Sequence, residues 1–404
     1  MALNSDTRPM ALHPMHLPLH ELRNRPAQVA LSAPRVARWL KHMAWIVPLL
    51  IFDVWFFGRR WSDEPQPRAE EPVAVLEQEV PPATPPPWAG LVYPTEQNGL
   101  LEKEMPGVYQ PTASGNLDSA FYGSVRTGSR GGRLVPTFHE GLDIAAMRRD
   151  AQGRPLDEVR AVADGVVAHV NRFGGNSNYG IYVVLRHDDP MGRVFTLYAH
   201  LLSLAPGIQP GMAVKAGHVL GRMGNTSSSP IPMARGHLHF EIGLILNGQF
   251  GNWFRAKKLK PDHGAYHGWN LLGLNPLDFL RFQKDRPDAS FLDFAATVPS
   301  AFDILLAVRR KPDYFDRYPA LWSGEPPGGA IVLACSENGV PLRGRAATSA
   351  EREQLGKLKA KIIRVHEEIL GRNGSRLLAR RAGVWLLAEA GEQWREMLLY
   401  PSAP

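Results

Sequence analysis

Gly236-His237-Leu238-His239-Phe240-Glu241 opens a run that continues, apolar and β-branched, to Leu246. On an extended chain side chains alternate, so His237 and His239 point to one face and Leu238 to the other, into apolar packing. Two imidazoles side by side make a poor core and a good metal or acid–base pair. A lone H-x-H can also be structural, since histidines are intermediate in burial. The same strand texture recurs at 159–170, 180–187, 193–200 and 213–223, with Gly174-Gly175, Asp189-Pro190 and Pro210-Gly211 as punctuation. Helical periodicity is nearly absent from about 100 to 282. These residues predict a mainly β, antiparallel domain with long connecting loops over 100–283. The Trp-, Lys- and His-rich stretch 248–270 reads as an inserted loop before Asn275-Pro276-Leu277-Asp278.

Two other strings carry chemistry. In Phe138-His139-Glu140-Gly141-Leu142-Asp143, extended backbone puts His139, Gly141 and Asp143 on one face, with the glycine leaving room for a metal. The alternative is a degenerate H-E-x-x-H helix with Asp in place of the second His. Gly141 and the β-like alternation speak against it, and Glu140 then points away from the metal as a non-catalytic residue. The second string is Leu197-Tyr198-Ala199-His200-Leu201. A catalytic zinc site needs three His or carboxylate ligands and an open position for water. His139, Asp143 and one histidine of the H-x-H pair supply that set, and spacing leaves open which histidine. His200 and the other member of the pair are then placed to accept the water's proton, stabilise an oxyanion and protonate a leaving amine. Cys335 is the single cysteine, which excludes intramolecular disulfides and Cys-based zinc sites.

In this order the strings resemble the signature of the lysostaphin-type zinc endopeptidases: H-x-x-x-D, a Y-A-H-L-like strand, then H-x-H. Val162-Ala163-Asp164-Gly165-Val166-Val167 is similar to that family's first core strand. Residues 180–187, Val214-Lys215-Ala216-Gly217, Gly224-Asn225-Thr226 and Asn275-Pro276 also fall in family order. The resemblance covers 139–280, under half of the chain. It implies an antiparallel β-sheet peptidase domain with long groove-forming loops and hydrolysis of peptide bonds in peptidoglycan. It also implies one Zn2+ per chain, held by His139, Asp143 and His239, with His200 and His237 as catalytic histidines. Tyr198 and His187 are expected to be structural, and His169, His218, His263 and His267 to lie on surface or loops. Ser227-Ser228-Ser229-Pro230 and the insertion 248–270 depart from the family pattern and bear on specificity.

Around this domain the composition changes. Residues 1–38 are rich in Pro, His and Arg and read as a disordered cytoplasmic tail. Residues 39–58 are about one bilayer crossing long, with Trp39, Trp45 and Trp55 toward the ends, and read as an uncleaved transmembrane anchor. Asp53 and Pro48 keep open a buried amphipathic helix of a soluble protein. The Pro- and Glu-rich 59–99 is an extended spacer, and 284–404 is a small α+β domain. There, a capping box at Thr348 and Glu351 followed by Leu355, Leu358, Ile362, Val365 and Ile369 predicts one amphipathic helix ending at Gly371. The net charge of +7 is scattered, with no basic run interleaved with aromatics, so nucleic acid is not the expected partner.

The expected protein is a single-pass bacterial inner-membrane protein with its catalytic domain in the periplasm. Peptidoglycan peptides are the expected substrate, and envelope or cell-division complexes are the expected partners. The competing readings are a non-enzymatic relative that activates other wall hydrolases, a structural envelope protein, and a cupin-like oxygenase. The last lacks the customary glutamate.

Overall fold

The computed structural model describes residues 87–404, apart from 103–104, 106, 131–132, 261, 372–375 and 403–404, and apart from the side chains of 127–136. The tail 1–38, the span 39–58 and the spacer up to 86 lie outside the described residues. Among the described residues no helix is long and apolar enough to cross a membrane.

A hairpin of β1 (Val125–Arg130) and β2 (Arg133–Phe138) leads into a nine-stranded sheet. Its members are β3 (Leu142–Ala145), β4 (Glu158–Arg160), β5 (Gly165–Asn171), β6 (Ile181–Asp189), β7 (Gly192–Leu204), β8 (Ala213–Val214), β9 (Val219–Met223), β10 (His237–Ile245) and β11 (Leu271–Leu274). They run β11-β10-β7-β6-β5-β8, with β3 beside β10, β9 beside β7 and β4 beside β9. All these pairs are antiparallel. The mainly β reading therefore holds. The strand stretch 159–170 is two strands, β4 and β5, separated by a bend at 162–164, and 213–223 is β8 and β9 separated by a turn.

Every residue of β10 is buried, because the sheet is covered on both faces. Val183, Leu185, Tyr198 and Phe240 belong to the main core, while Tyr182, Val184, Leu197 and Ala199 pack in a second cluster. Each such side chain taken fully out of water contributes about 1.5–3 kcal/mol. The same burial explains why the strands read as nearly continuous apolar runs. At the N-terminal edge, Trp88 is buried against His187 and Phe279 and donates Nε1–H to Asp189 at 2.7 Å. The stretch 248–270 is more than a loop. Phe250, Trp253 and Phe254, spaced to share a helical face, bury one side of helix Phe250–Ala256.

The following region is α+β, as expected. Strands β12 (Phe302–Ala307), β13 (Trp322–Ser323), β14 (Ala330–Cys335), β15 (Pro341–Ala346) and β16 (Ala360–Val365) form a sheet in the order β13-β15-β14-β12-β16. A hairpin of β17 (Leu378–Arg381) and β18 (Val384–Leu387) follows. This region packs on the first sheet: Tyr318 Oη accepts from the Ile245 amide at 2.9 Å and donates to the Arg193 carbonyl at 3.1 Å. Asn247 Nδ2 donates to the Met397 carbonyl at 2.6 Å.

The single helix expected up to Gly371 does not form. The Thr348–Glu351 capping box is present, but helix Ser349–Leu355 stops at Gly356, whose φ is +58°. Residues 360–365 then pair with β12 as β16. Ile362, Ile363 and Val365 are β-branched and favour the strand, and a glycine in the left-handed region ends the helix before them.

Glu351 receives hydrogen bonds from Arg345 at 2.7 and 2.8 Å, and these with the Thr348 cap hold its carboxyl at about 2. A depressed carboxylate stabilises the fold above its unfolded pKa of about 4.3 and loses that contribution as pH falls toward 2. The pair is part-exposed, so Glu351→Gln is expected to cost about 1 kcal/mol or less at neutral pH. Denaturant unfolding should show that difference vanish in acid.

Candidate metal centre

Register brings the three strings together. On β10, His239 lies opposite Asp143 of β3 on one side and Ala199 of β7 on the other. His139 lies just beyond β2, in the short segment that leads into β3. Gly141 is needed for this approach: a Cβ there would sit 2.8 Å from the His239 ring and 2.6 Å from the Phe240 carbonyl. The room left by the glycine is therefore filled by His239 itself.

His139 Nε2 lies 3.0 Å from Asp143 Oδ1, and His239 Nδ1 is 2.9 Å from that oxygen and 3.1 Å from His139 Nε2. All three residues are buried. Their ligand atoms meet the geometric requirement for a metal group. His139 Nδ1–H donates to the Phe121 carbonyl at 2.9 Å, which leaves Nε2 as a lone pair. His239 Nε2 faces Glu241 Oε1 at 2.8 Å, so Nδ1 turns toward two acceptors. His139 Nε2, Asp143 Oδ1 and His239 Nδ1 thus converge, and positive charge among them, a proton on His239 or a metal ion in its place, satisfies them. Burial opposes a charge on His239, yet hydrogen bonds to Asp143 and Glu241 push it up to about 9. Burial alone would raise Asp143, but His139 and His237 hold its carboxyl well below the usual range. Ligands about 2.0–2.1 Å from a tetrahedral zinc lie about 3.3–3.4 Å apart, so small outward movements fit these residues to the ion.

His237 belongs to a different pair. Its Nε2 is 3.5 Å from Asp143 Oδ1, and its ring centroid is 4.8 Å from that of His200. His237 Nδ1–H donates to the Arg235 carbonyl and His200 Nδ1–H to the Thr226 carbonyl, both at 2.8 Å, so each ring presents Nε2 to the site. Burial holds His200 well below its ordinary pKa. His200 sits on a strand with φ of +62°, a conformation that non-glycine residues keep only where their surroundings enforce it. The Tyr179 carbonyl, accepting from the His200 amide at 2.8 Å, is part of that enforcement.

The sequence did not single out Glu241, Tyr179 or Arg126. Glu241 is fully buried and joins His239 to the Tyr179 hydroxyl, 2.7 Å away. Its period-two place after His237 and His239 was the available signal. Arg126 Nη2 is 2.6 Å from Asp143 Oδ2, with no motif to announce it. Glu140 lies outside the triangle. Burial raises it to about 7, with Arg376 opposing from 3.3 Å.

His187 is buried between the Asp164 carbonyl and Thr196 Oγ1, and Tyr198 Oη accepts from the Val162 amide, so both are structural. His169, His263 and His267 were expected on surface or loops. His263 and His267 do lie on a loop, whereas His169 is on β5; all three pack into an aromatic cluster with Tyr182, Tyr266, Phe250 and Phe254, and burial lowers His169 and His267 to about 4. His218 lies in the turn before β9.

Residues 137–251 match the family model described as Peptidase family M23. Over 112 residues the chain is 41% identical to the DD-carboxypeptidase/endopeptidase Mpg of Neisseria meningitidis serogroup B and to that of Neisseria gonorrhoeae. That stretch is 28% of this chain and 21% of each relative, so the chain spans about a fifth of the length of these curated relatives. The catalytic domain of the antimicrobial peptidase lysostaphin from Staphylococcus simulans is a similar solved structure. It is 22% identical, covering 40% of this chain and 89% of that one at a TM-score of 0.25. The four histidines and Asp143 all fall inside 137–251, so the candidate metal centre lies within the stretch that matches Peptidase family M23.

Proposed function

We propose that the chain is a zinc endopeptidase that hydrolyses peptide bonds of peptidoglycan, tethered to the bacterial inner membrane by residues 39–58 with its catalytic domain in the periplasm. One observation carries the catalytic part: His139 and His239, held from behind by the Phe121 carbonyl and Glu241, aim two imidazole nitrogens and Asp143 Oδ1 at one point. The name DD-carboxypeptidase/endopeptidase borne by the Neisseria relatives supports an endopeptidase.

His139 Nε2, Asp143 Oδ1 and His239 Nδ1 would hold the ion, which when bound polarises a carbonyl and lowers the pKa of its water toward about 7. Everything else falls to the chain. Phe121 and Glu241 lock the two ligand rings by accepting their outward N–H groups. His200 and His237 stand beside the ligands with their Nε2 atoms turned to the site, fixed by the Thr226 and Arg235 carbonyls. One Nε2 accepts the nucleophile's proton. The other, once protonated, donates to the oxyanion or the departing amine. Tyr179, tied to Glu241, borders the same space with its ring centroid 5.6 Å from that of His239.

Digestion of purified wall by the whole chain, followed by identification of the released muropeptides, tests this reading. New peptide termini should appear, vanish with a chelator and return with zinc. Release of glycan fragments alone, or no release with metal bound, would overturn it.

A further inference from the structure

We propose that Arg126 is a positioning residue that keeps Asp143 a one-oxygen metal ligand and so keeps a coordination position open. The inference rests on the metal reading of His139, Asp143 and His239. The two oxygens of Asp143 have separate partners. Oδ1 meets His139 Nε2 at 3.0 Å and His239 Nδ1 at 2.9 Å, whereas Oδ2 accepts from Arg126 Nη2 at 2.6 Å. The same Nη2 also donates to the Ser119 carbonyl. Asp143 is buried, and Arg126 is about a third exposed with a side-chain accessibility of 29%, so the pair is partly shielded from solvent. A charge-assisted hydrogen bond of this length is among the stronger kinds, and a planar guanidinium fixes direction as well as distance.

The anchor for Arg126 is local. Arg126 pairs with Thr137 in the hairpin, and the Thr137 hydroxyl donates to the Arg126 carbonyl at 3.0 Å. The preceding residues hold the other ligand on this side of the site. His139 Nδ1–H donates to the Phe121 carbonyl, the His139 amide donates to the Ser124 carbonyl, and the Gly123 amide donates to the His139 carbonyl. Residues 119–126 therefore orient two of the three ligands. Arg126 itself lies outside the stretch 137–251 that matches the family model.

A carboxylate whose second oxygen is free can bind a metal through both. That would raise the coordination number and occupy the place a water or a scissile carbonyl needs. With Oδ2 held by Arg126, Asp143 has one oxygen to give. Removing the guanidinium should thus leave metal binding in place and change its geometry.

The test uses the whole chain loaded with Co(II), whose visible absorption is strong when four-coordinate and weaker when five-coordinate. Arg126→Met is expected to take up about one Co(II) per chain with a weakened band. Its wall hydrolysis should fall about 10–100-fold, the usual effect of losing a group that orients a ligand. Arg126→Lys, which keeps charge without the fork, should show the same change at smaller size. It also serves should Arg126→Met fail to fold. A folded Arg126→Met with the unaltered band and activity within about twofold of the parent would overturn the proposal. So would a folded variant that takes up no Co(II), because Arg126 would then be needed for binding rather than for denticity. Absence of Co(II) uptake by the parent chain would instead overturn the metal reading itself.

Discussion

His239→Ala should bind zinc on the order of a thousandfold more weakly than the parent and should release no peptides from wall. Structural zinc sites bind with roughly 10–16 kcal/mol in all, so loss of one of three protein ligands removes several kcal/mol of that. The environment of His239 adds to the loss. Asp143 Oδ1 and Glu241 Oε1 each lose a close partner, at 2.9 and 2.8 Å. Glu241 Oε2 is already a buried atom without a hydrogen-bond partner, so the buried carboxylate would be left with Tyr179 alone to satisfy it. Metal analysis after dialysis, with circular dichroism to confirm folding, checks the result. His239→Ala that retains stoichiometric zinc would show that a different residue is the third ligand.

His237→Ala and His200→Ala should behave in the opposite way, keeping zinc while losing about 10²–10⁴-fold in wall hydrolysis. The geometry separates the two neighbours of the H-x-H pair: His239 Nδ1 is in the ligand triangle, whereas His237 groups with His200. Neither His200 nor His237 contributes an atom to the three-residue metal group. Zinc content and rate measured on the same preparations give the comparison. If His237→Ala loses zinc while His239→Ala keeps it, the roles within the pair are reversed.

Much of this site was legible because its ligands come from short extended segments in which alternation dictates direction. His237 and His239 share a face of β10, and Asp143 lies across from His239. Which histidine of the pair groups with Asp143 needed the register of β3, a long-range fact that no local pattern carries. Glu241 was visible as the next residue on that face. Its place in the site depends on Tyr179, which lies just before β6 and meets Glu241 only when β6, β7 and β10 pair. Arg126 had no signal at all, since its partner Asp143 is reached only when β1 pairs back on β2.

The misread helix has a similar cause. Leu355, Leu358, Ile362 and Val365 fit a helical period, but the place open beside β12 and the turn at Gly356 decide for a strand. The stretch 248–270 reads as a loop from its Trp-, Lys- and His-rich composition, whereas the helical spacing of Phe250, Trp253 and Phe254 sets its fold. The anchor 39–58 lies outside the described residues and remains a reading of hydropathy and flanking charge.

A crystal of the zinc-loaded chain, measured on both sides of the zinc absorption edge, tests the metal centre most directly. The expected result is one anomalous peak within about 2.0–2.1 Å of His139 Nε2, Asp143 Oδ1 and His239 Nδ1, with His237 and His200 outside bonding distance. No peak at that point, or a peak bonded to His237 in place of His239, would contradict it.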